Sequence, residues 1–453
     1  MVPRYDVHVW LLLGFMSAFG AGCSEAPAGG NDGGEGDDGN GATEALSWPA
    51  EELAAFEGGR APDVSVTAGG VVLLALEREG RSEVIVDPGG QAVVVDLGEG
   101  EGGRITASPN DEEAVVLFQR YDATLGGDVT FCAWLNDGEL QAPPFELIDD
   151  QEEWGLSRTE RGISLYWTGA GPAAFLHSHL REISGAVEQD SRADFILLPV
   201  PRPEAGPVGL PSLGMRLATH PSYHRISHGE SPTIFDLTDH PLSTPEKPMV
   251  LAAKSRAENL SEGEDFEPAL QWILAMTMPG NDSHWGNWFG PVDDGTSPMP
   301  FESNTSWIEI HRLEPRKGVV TWHAPSGGMV FDVFMTSLLI DDDGVPELGE
   351  DYINVSQTYG MTDHSEHPVV RGTGDGRAWV TWRESTFGPR VSLYDEDLNR
   401  LGAAAPDVDL RQSGSAPMGA ALLPGGDLVV AAQVSPKDSS PEVRVWRIEL
   451  PRP

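Results

Sequence analysis

At 453 residues the chain has room for two or three ordinary domains or for one large repeat domain. Its 71 acidic and 29 basic residues give a formal net charge of −42, which repels phosphate backbones and anionic lipid surfaces and so argues against nucleic-acid binding and against a polybasic membrane attachment. Such a surface is that of a soluble body adapted to a saline exterior.

Residues 1–22 read as a signal peptide: Arg4 supplies the positive start, and the apolar run from Val9 to Met16 is too short for a permanent membrane span. Gly20, Ala21 and Gly22 then precede Cys23. This arrangement resembles the lipobox of bacterial lipoproteins, although Gly20 stands where that family usually carries an aliphatic residue. The resemblance implies that Cys23 is acylated and becomes the mature N-terminus, anchoring the protein in the cell envelope, at the outer membrane. Several acyl chains on one cysteine exceed what stable anchoring requires. The alternative is cleavage at a small residue, with Cys23 incidental. Residues 24–45 hold six acids, no base and almost nothing apolar, a composition that cannot bury a core and is expected to be disordered. As a flexible coil such a segment reaches on the order of 25 Å, enough to act as a tether. Without those six acids the remainder still carries −36. With Cys23 in the targeting region, Cys132 has no disulfide partner. It lies in the alternating run from Val129 to Trp134 and is expected to be a small core residue rather than a reactive thiol.

From residue 46 to 453 the chain reads as one all-β domain built from a repeat. The clearest copy runs from His364 to Leu410. A short strand meets a Gly374-Asp375-Gly376 turn, and the strands Ala378–Trp382 and Arg390–Tyr394 follow. Apolar runs comparable to Ala378–Trp382 begin at Val71, Ala114, Ile163, Met215, Leu270, Val319 and Leu428, about fifty residues apart, the period of propeller blades. These runs are apolar on both faces, so each sheet must stack against neighbours, and closing the ring leaves no exposed terminal face. A single β-propeller of seven to eight four-stranded blades is therefore expected. The run at Met215 fits least well, and a strand from just after Ala45 is expected to complete the last blade. The pattern resembles WD40-like or quinoprotein-like propellers of bacterial lipoproteins, in architecture only. Thr373 to Trp379 approaches the Asp-box of sialidase-type propellers, but Gly376 follows Asp375 directly and the segment reads as a hairpin turn.

No nucleophile elbow, zinc-protease helix or phosphate-binding loop is present, so no catalytic residue is assigned. His220, His224 and His228 are evenly spaced, but the residues between them argue against a helix, and loop histidines are expected. His177 and His179 share one face of a strand. Asp341-Asp342-Asp343-Gly344 and Asp293-Asp294-Gly295 offer hard oxygen ligands for Ca²⁺ without the spacing of a dedicated loop, and turns need Asp and Gly anyway. No other cofactor is expected. The most suggestive segment is the Pro- and Gly-rich stretch from Pro279 to Asn304, read as an irregular insertion. There His284, Trp285, Trp288 and Phe289 are candidate binding residues, as aromatics able to stack on a glycan or anchor a protein. The expected role is a membrane-tethered, monomeric, extracytoplasmic propeller that binds or scaffolds an envelope protein or glycan. The competing expectation is a carbohydrate-active enzyme, a glycosidase or lyase, working in the propeller funnel. Carboxylates and arginines converging there would favour the enzyme.

Overall fold

A computed structural model describes residues 46–123, 127–149, 156–182, 189–209, 216–220, 233–236, 249–256, 269–276, 284–287, 306–325, 331–342, 345–356, 364–406, 418–436 and 440–451. All of them lie in the unit Glu44–Pro453. Cys23 and the expected signal and tether segments fall outside this set.

The described chain begins with β1 (Leu46–Trp48) and β2 (Ala50–Glu57), and antiparallel sheets follow in sequence order. The first sheet is β3 (Gly59–Val66), β4 (Val72–Arg78), β5 (Arg81–Val86) and β6 (Val93–Glu99). The second is β7 (Glu101–Ala107), β8 (Glu113–Asp122) and β9 (Gly127–Asn136), with the short β10 (Glu139–Leu140) and β11 (Phe145–Glu146) on the far edge of β9. After β12 (Ile148–Asp149), the third sheet holds β13 (Leu156–Thr168), β14 (Gly171–Glu182) and β15 (Gln189–Pro199). Then β16 (Val208–Gly209) turns back to pair in parallel with β12, and β17 (Arg216–His220) completes the third sheet. The fourth is β18 (Thr233–Asp236), β19 (Met249–Arg256), β20 (Ala269–Met276) and β21 (His284–Asn287). The fifth is β22 (Ser306–Glu314), β23 (Lys317–Pro325), β24 (Phe331–Ile340) and β25 (Pro346–Asn354). The sixth is β26 (Ser365–Gly372), β27 (Ala378–Glu384), β28 (Gly388–Tyr394) and β29 (Arg400–Ala404), and the seventh is β30 (Met418–Leu422), β31 (Leu428–Val434) and β32 (Glu442–Ile448).

The first strand of each sheet touches the first strand of the next: β3 meets β7, β7 meets β13, and so on through β18, β22, β26 and β30, which returns to β3. This cyclic order of antiparallel meanders is a β-propeller. The expectation of an eighth repeat is corrected. Arg216–His220 is not a sheet of its own but the outer strand of the third sheet, paired to β15. Leu217 and Ala218 give it a brief apolar signal, while β13, with Leu165, Tyr166 and Trp167, imitates a central strand although it is the innermost one.

The stacking explains the unbroken apolar runs. On β4, Leu73 and Ala75 pack toward the second sheet, whereas Val72, Leu74 and Leu76 pack toward the seventh. On β8, Val115 and Leu117 face the third sheet, whereas Ala114, Val116 and Phe118 face the first. Both faces of a central strand are thus interior, so polar alternation is lost. Each such side chain contributes about 1.5–3 kcal/mol by leaving water.

The ring is closed by the N-terminal segment. β2 runs antiparallel to β32, pairing Ala50 with Ile448 and Glu57 with Glu442, and so becomes the outer strand of the seventh sheet. β1 pairs in parallel with β29, placing Leu46 against Gly402 and Trp48 against Ala404. One short segment therefore joins the outer edges of two adjacent sheets, as the expected completing strand and one pairing more. On the inside, closure demands close backbone approach: a Cβ on Gly419 would lie 2.6 Å from the Val64 nitrogen and 2.7 Å from the Asp63 Cα. Gly419→Ala should therefore force β30 away from β3 and cost about 1–3 kcal/mol, the range for overpacking. Urea unfolding that shows no loss of stability in this variant would rule out so tight a seam.

Candidate functional site

The inner strands carry a shared irregularity. Register slips by a bulge between Arg60 and Asp63 on β3, Glu101 and Arg104 on β7, Ser306 and Glu309 on β22, and Glu366 and Val369 on β26. Three of these bulges contain a left-handed residue, Ala61 at φ 44°, Gly102 at 63° and His367 at 54°. A bulge adds one residue to its strand and changes the face on which the following side chains stand. Because it recurs at the same place on neighbouring sheets, the residues after it meet near the ring axis.

They surround a cavity of about 280 Å³, walled by the inner strands of six sheets. Asp63 and Ser65 come from β3, Arg104 and Thr106 from β7, Ser164 and Tyr166 from β13, Glu309 and His311 from β22, and Arg371 from β26, with backbone and small residues of β30. Part of this polar set holds the ring together. Asp63 accepts from the Val64 N–H at 3.0 Å and, across the seam, from the Ile105 N–H at 2.9 Å. Ser65 Oγ accepts from the Ala107 N–H at 2.9 Å. Arg371 Nε donates to the Ala420 carbonyl at 2.7 Å and Nη1 to that of Val370 at 2.7 Å. Among the described residues the inner strands of neighbouring sheets are not paired by ladder bonds, and these side chains supply a polar connection between them.

Glu309 differs from this set. Its side chain is 16% exposed and stands 3.5 Å from Arg371 Nη1. Burial pushes its carboxyl above the usual range, against the pull of Arg371 and Arg104, and Asp63 adds to the rise. Beside it, burial pushes the His311 imidazole down to about 3, with Arg371 and Arg312 acting in the same sense. The cavity thus combines a carboxyl inclined to keep its proton, a neutral imidazole, two guanidiniums and several hydroxyls. Such a set can donate and accept hydrogen bonds and can hold or release a proton at Glu309.

A second buried imidazole, His323, lies between the fifth and sixth sheets and accepts the His367 N–H at 3.2 Å. Burial and then His367 push its pKa well below the usual value. A histidine whose folded pKa lies below its unfolded value of 6.5 contributes stability that is complete above pH 6.5 and drains away as the pH falls toward the folded value. Glu309, with a raised folded pKa, acts in the opposite sense. Each histidine then costs about 1.4 kcal/mol per pH unit below 6.5, and Glu309 offsets part of that loss once the pH falls through its own raised value. Urea midpoints should fall steadily from pH 7 to pH 5, and a flat profile over that span would show that neither imidazole is held neutral.

Of the residues picked from sequence, His284 and Trp285 lie on β21, opposite Leu274 and Ile273 of β20. Residues His284–Asn287 thus form an edge strand of the fourth sheet, and the rest of the stretch from Pro279 to Asn304 lies outside the described residues. Trp288 and Phe289 lie outside the described residues, as do His224, His228, Asp293, Asp294 and Asp343. His220 ends β17 opposite Ala193, and His177 and His179 do share β14. Asp341 accepts from the Val345 N–H at 2.7 Å, the bond of a turn, and Asp342 pairs with Arg316. Asp375 bonds Arg377 and Thr373 in the hairpin turn between β26 and β27, between Gly374 at φ 81° and Gly376 at 85°, and its Arg377 contact holds the carboxyl far below the usual range. Cys132 is fully buried, and burial pushes its thiol far above the usual range, which makes it unreactive.

Sequence reasoning overlooked Asp63, Arg104, Glu309, His311 and Arg371. The available signal was a charge set among apolar residues on the strand before each central run, as in Ile308-Glu309-Ile310-His311.

No known family matches the sequence, and no curated protein is similar to it. Among solved structures, the β-propeller domain of the Trilobed protease from Pyrococcus furiosus, described as having an open velcro topology, superposes with a TM-score of 0.41 at 9% identity, over 87% of this chain and 94% of its own. A protein of unknown function from Dyadobacter fermentans gives 0.39 at 10%, over 89% and 98%. The α-L-arabinofuranosidase Arb93A from Fusarium graminearum gives 0.39 at 8%, over 78% and 99%. The all-β propeller fold of this chain is shown by its own cyclic order of sheets.

Proposed function

We propose that this protein is a lipid-anchored, extracytoplasmic propeller of the cell envelope whose central cavity binds a small hydroxyl-rich ligand, such as the end of an envelope glycan. The supporting observation is the convergence of Glu309, Arg371, Arg104 and Asp63 with the hydroxyls of Ser65, Thr106, Ser164 and Tyr166 in one cavity. Binding is favoured over catalysis because Asp63 and Arg371 are already bonded to backbone across or beside the sheet seams, which leaves Glu309 without a second mobile carboxylate. Hydrogen exchange with envelope glycan fragments tests this reading. A binding fragment should protect β22 and β26, and protection confined to other sheets would move the site away from the axis.

Glu309 also favours a second reading, a glycosidase in which it is the proton donor, since a carboxyl whose pKa is raised by burial is suited to general acid work. Hydrolysis of aryl glycosides that disappears in Glu309→Gln without a change in thermal midpoint would establish it. Absence of hydrolysis across such a panel would leave binding alone.

The anchor rests on Cys23 and the acidic stretch after it. Cys23→Ser should move the protein from the membrane fraction to the soluble fraction. Retention on membranes would show that the attachment does not depend on acylation.

A further inference from the structure

We propose that the ligand of the central cavity carries a carboxylate, held by the guanidiniums of Arg371 and Arg104 opposite Glu309. The proposal rests on the reading of the cavity as a ligand site and narrows its chemistry to acidic sugars of the uronic-acid kind.

The argument starts from the donors. A guanidinium has five N–H groups in a planar fork. In Arg371, Nε goes to the Ala420 carbonyl and Nη1 to that of Val370, both at 2.7 Å. Those two bonds fix the plane of the fork, and Nη1 also faces Glu309 Oε2. The contact to Glu309 Oε2 is 3.5 Å, whereas a charge-assisted N–H to carboxylate bond settles at about 2.7–2.9 Å. Glu309 is thus a loose partner for Arg371, and a ligand carboxylate in the cavity can approach the guanidinium more closely. Arg104 stands in the same wall and acts electrostatically on Glu309 from β7.

The local charge supports the same reading. The groups facing Glu309 are Arg371 on β26, Arg104 on β7, Asp63 on β3 and His311 on its own strand. Asp63 is occupied by two backbone N–H groups, and His311 remains neutral. Arg371 and Arg104 both act on Glu309 from other strands, with Asp63 acting in the opposite sense. A carboxylate entering the cavity is attracted by both arginines, and Glu309 in its protonated form can donate a hydrogen bond to it. Ser164 and Thr106 are placed to meet the hydroxyls of a sugar ring. In a chain of net charge −42 this is an unusual local environment, and it selects against neutral ligands of equal size.

Proton linkage follows. A carboxylate bound beside Glu309 favours its protonated form, so binding takes up a proton and strengthens as the pH falls through the Glu309 pKa. The test is calorimetric titration of the full-length protein with glucuronate and galacturonate, each against its neutral hexose, at pH 5.5 and pH 7.5. The acidic sugars should bind at least tenfold more tightly than the neutral ones at pH 5.5, with a smaller advantage at pH 7.5. Arg104→Gln should reduce the preference to less than twofold. Glu309→Gln, which imitates the protonated carboxyl, should keep the preference and remove its pH dependence. Equal binding of acidic and neutral sugars, both sensitive to Glu309→Gln, would overturn the proposal while leaving the cavity as a site for polar ligands. Acidic-sugar binding indifferent to both substitutions would place it elsewhere and overturn the proposal. Failure of every sugar to bind would overturn this proposal and the underlying reading together.

Discussion

Removal of residues 46–57 should abolish the folded propeller, whereas removal of residues 24–45 should leave its thermal midpoint unchanged. The twelve residues of the first deletion include β1 and β2. Without β2, the ladder along β32 from Glu442 to Ile448 loses every partner on its outer side, and the Arg444–Glu52 ion pair goes with it. Leu53 and Phe56 leave the core between the seventh and first sheets, and Trp48 and Ala50 leave the core between the sixth and seventh. At up to about 1.5–3 kcal/mol for each of the three large apolar side chains, the loss of about 5–9 kcal/mol is comparable with the 5–15 kcal/mol by which a domain is usually stable, before the lost ladder of β32 is counted. Circular dichroism and calorimetry on the two truncations would show the contrast. A cooperative transition surviving the removal of residues 46–57 would mean that the ring does not need its closure. A large drop on removal of residues 24–45 would mean that they belong to the fold.

The second large effect is expected at Trp379. Its ring is fully buried between the sixth and seventh sheets, beside Leu428, Val430 and Ile448. It meets Trp48 edge-on at 5.4 Å, and its indole N–H donates to the Gly426 carbonyl at 3.1 Å. Trp379→Ala therefore removes the packing of two sheets, leaves a turn carbonyl without its donor and takes away the surface on which β1 rests. A cost of about 3–5 kcal/mol is expected, the range for emptying a buried aromatic position. Trp379→Phe, which keeps most of the volume and loses the hydrogen bond, should cost about 1–2 kcal/mol. Chemical denaturation that gives the two variants equal stability would show that packing at this seam is not what the indole supplies.

Much of the architecture was legible because the central strands are interior on both faces. Val72–Leu76, Ala114–Phe118, Ala378–Trp382 and Leu428–Ala432 stand out as unbroken apolar runs for that reason, and the turns between strands are marked by Asp and Gly. The count failed in the third sheet, where the long inner strand β13 has the aromatic content of a central strand and β17 repeats a fragment of the pattern. The site was not legible for a different reason. Which side chains face the axis depends on the bulges at Ala61, Gly102 and His367, and a bulge changes facing without leaving a compositional mark. Ala61-Pro62-Asp63 and Gly102-Gly103-Arg104 have no residue in common, yet they perform the same displacement. The aromatic stretch around Trp285 drew attention because large rings are conspicuous in a sequence, whereas Glu309 is one acid among 71.

The seam between β2 and β32 also decides when the molecule can become complete. Ala50 and Ile448 are partners from opposite ends of the chain, and bringing together ends separated by roughly 400 residues carries a loop-closure cost of about 5 kcal/mol. A chain made from its N-terminus has to keep β2 waiting until the last sheet has emerged, with the β32 edge open in the interval. Folding is then governed by the most distant pairing in the molecule, and its rate is slow for the size of the individual sheets. During that interval the β2 of one chain can seat on the β32 of another as readily as on its own, so the closure that makes the finished ring stable also makes the unfinished one prone to exchange strands.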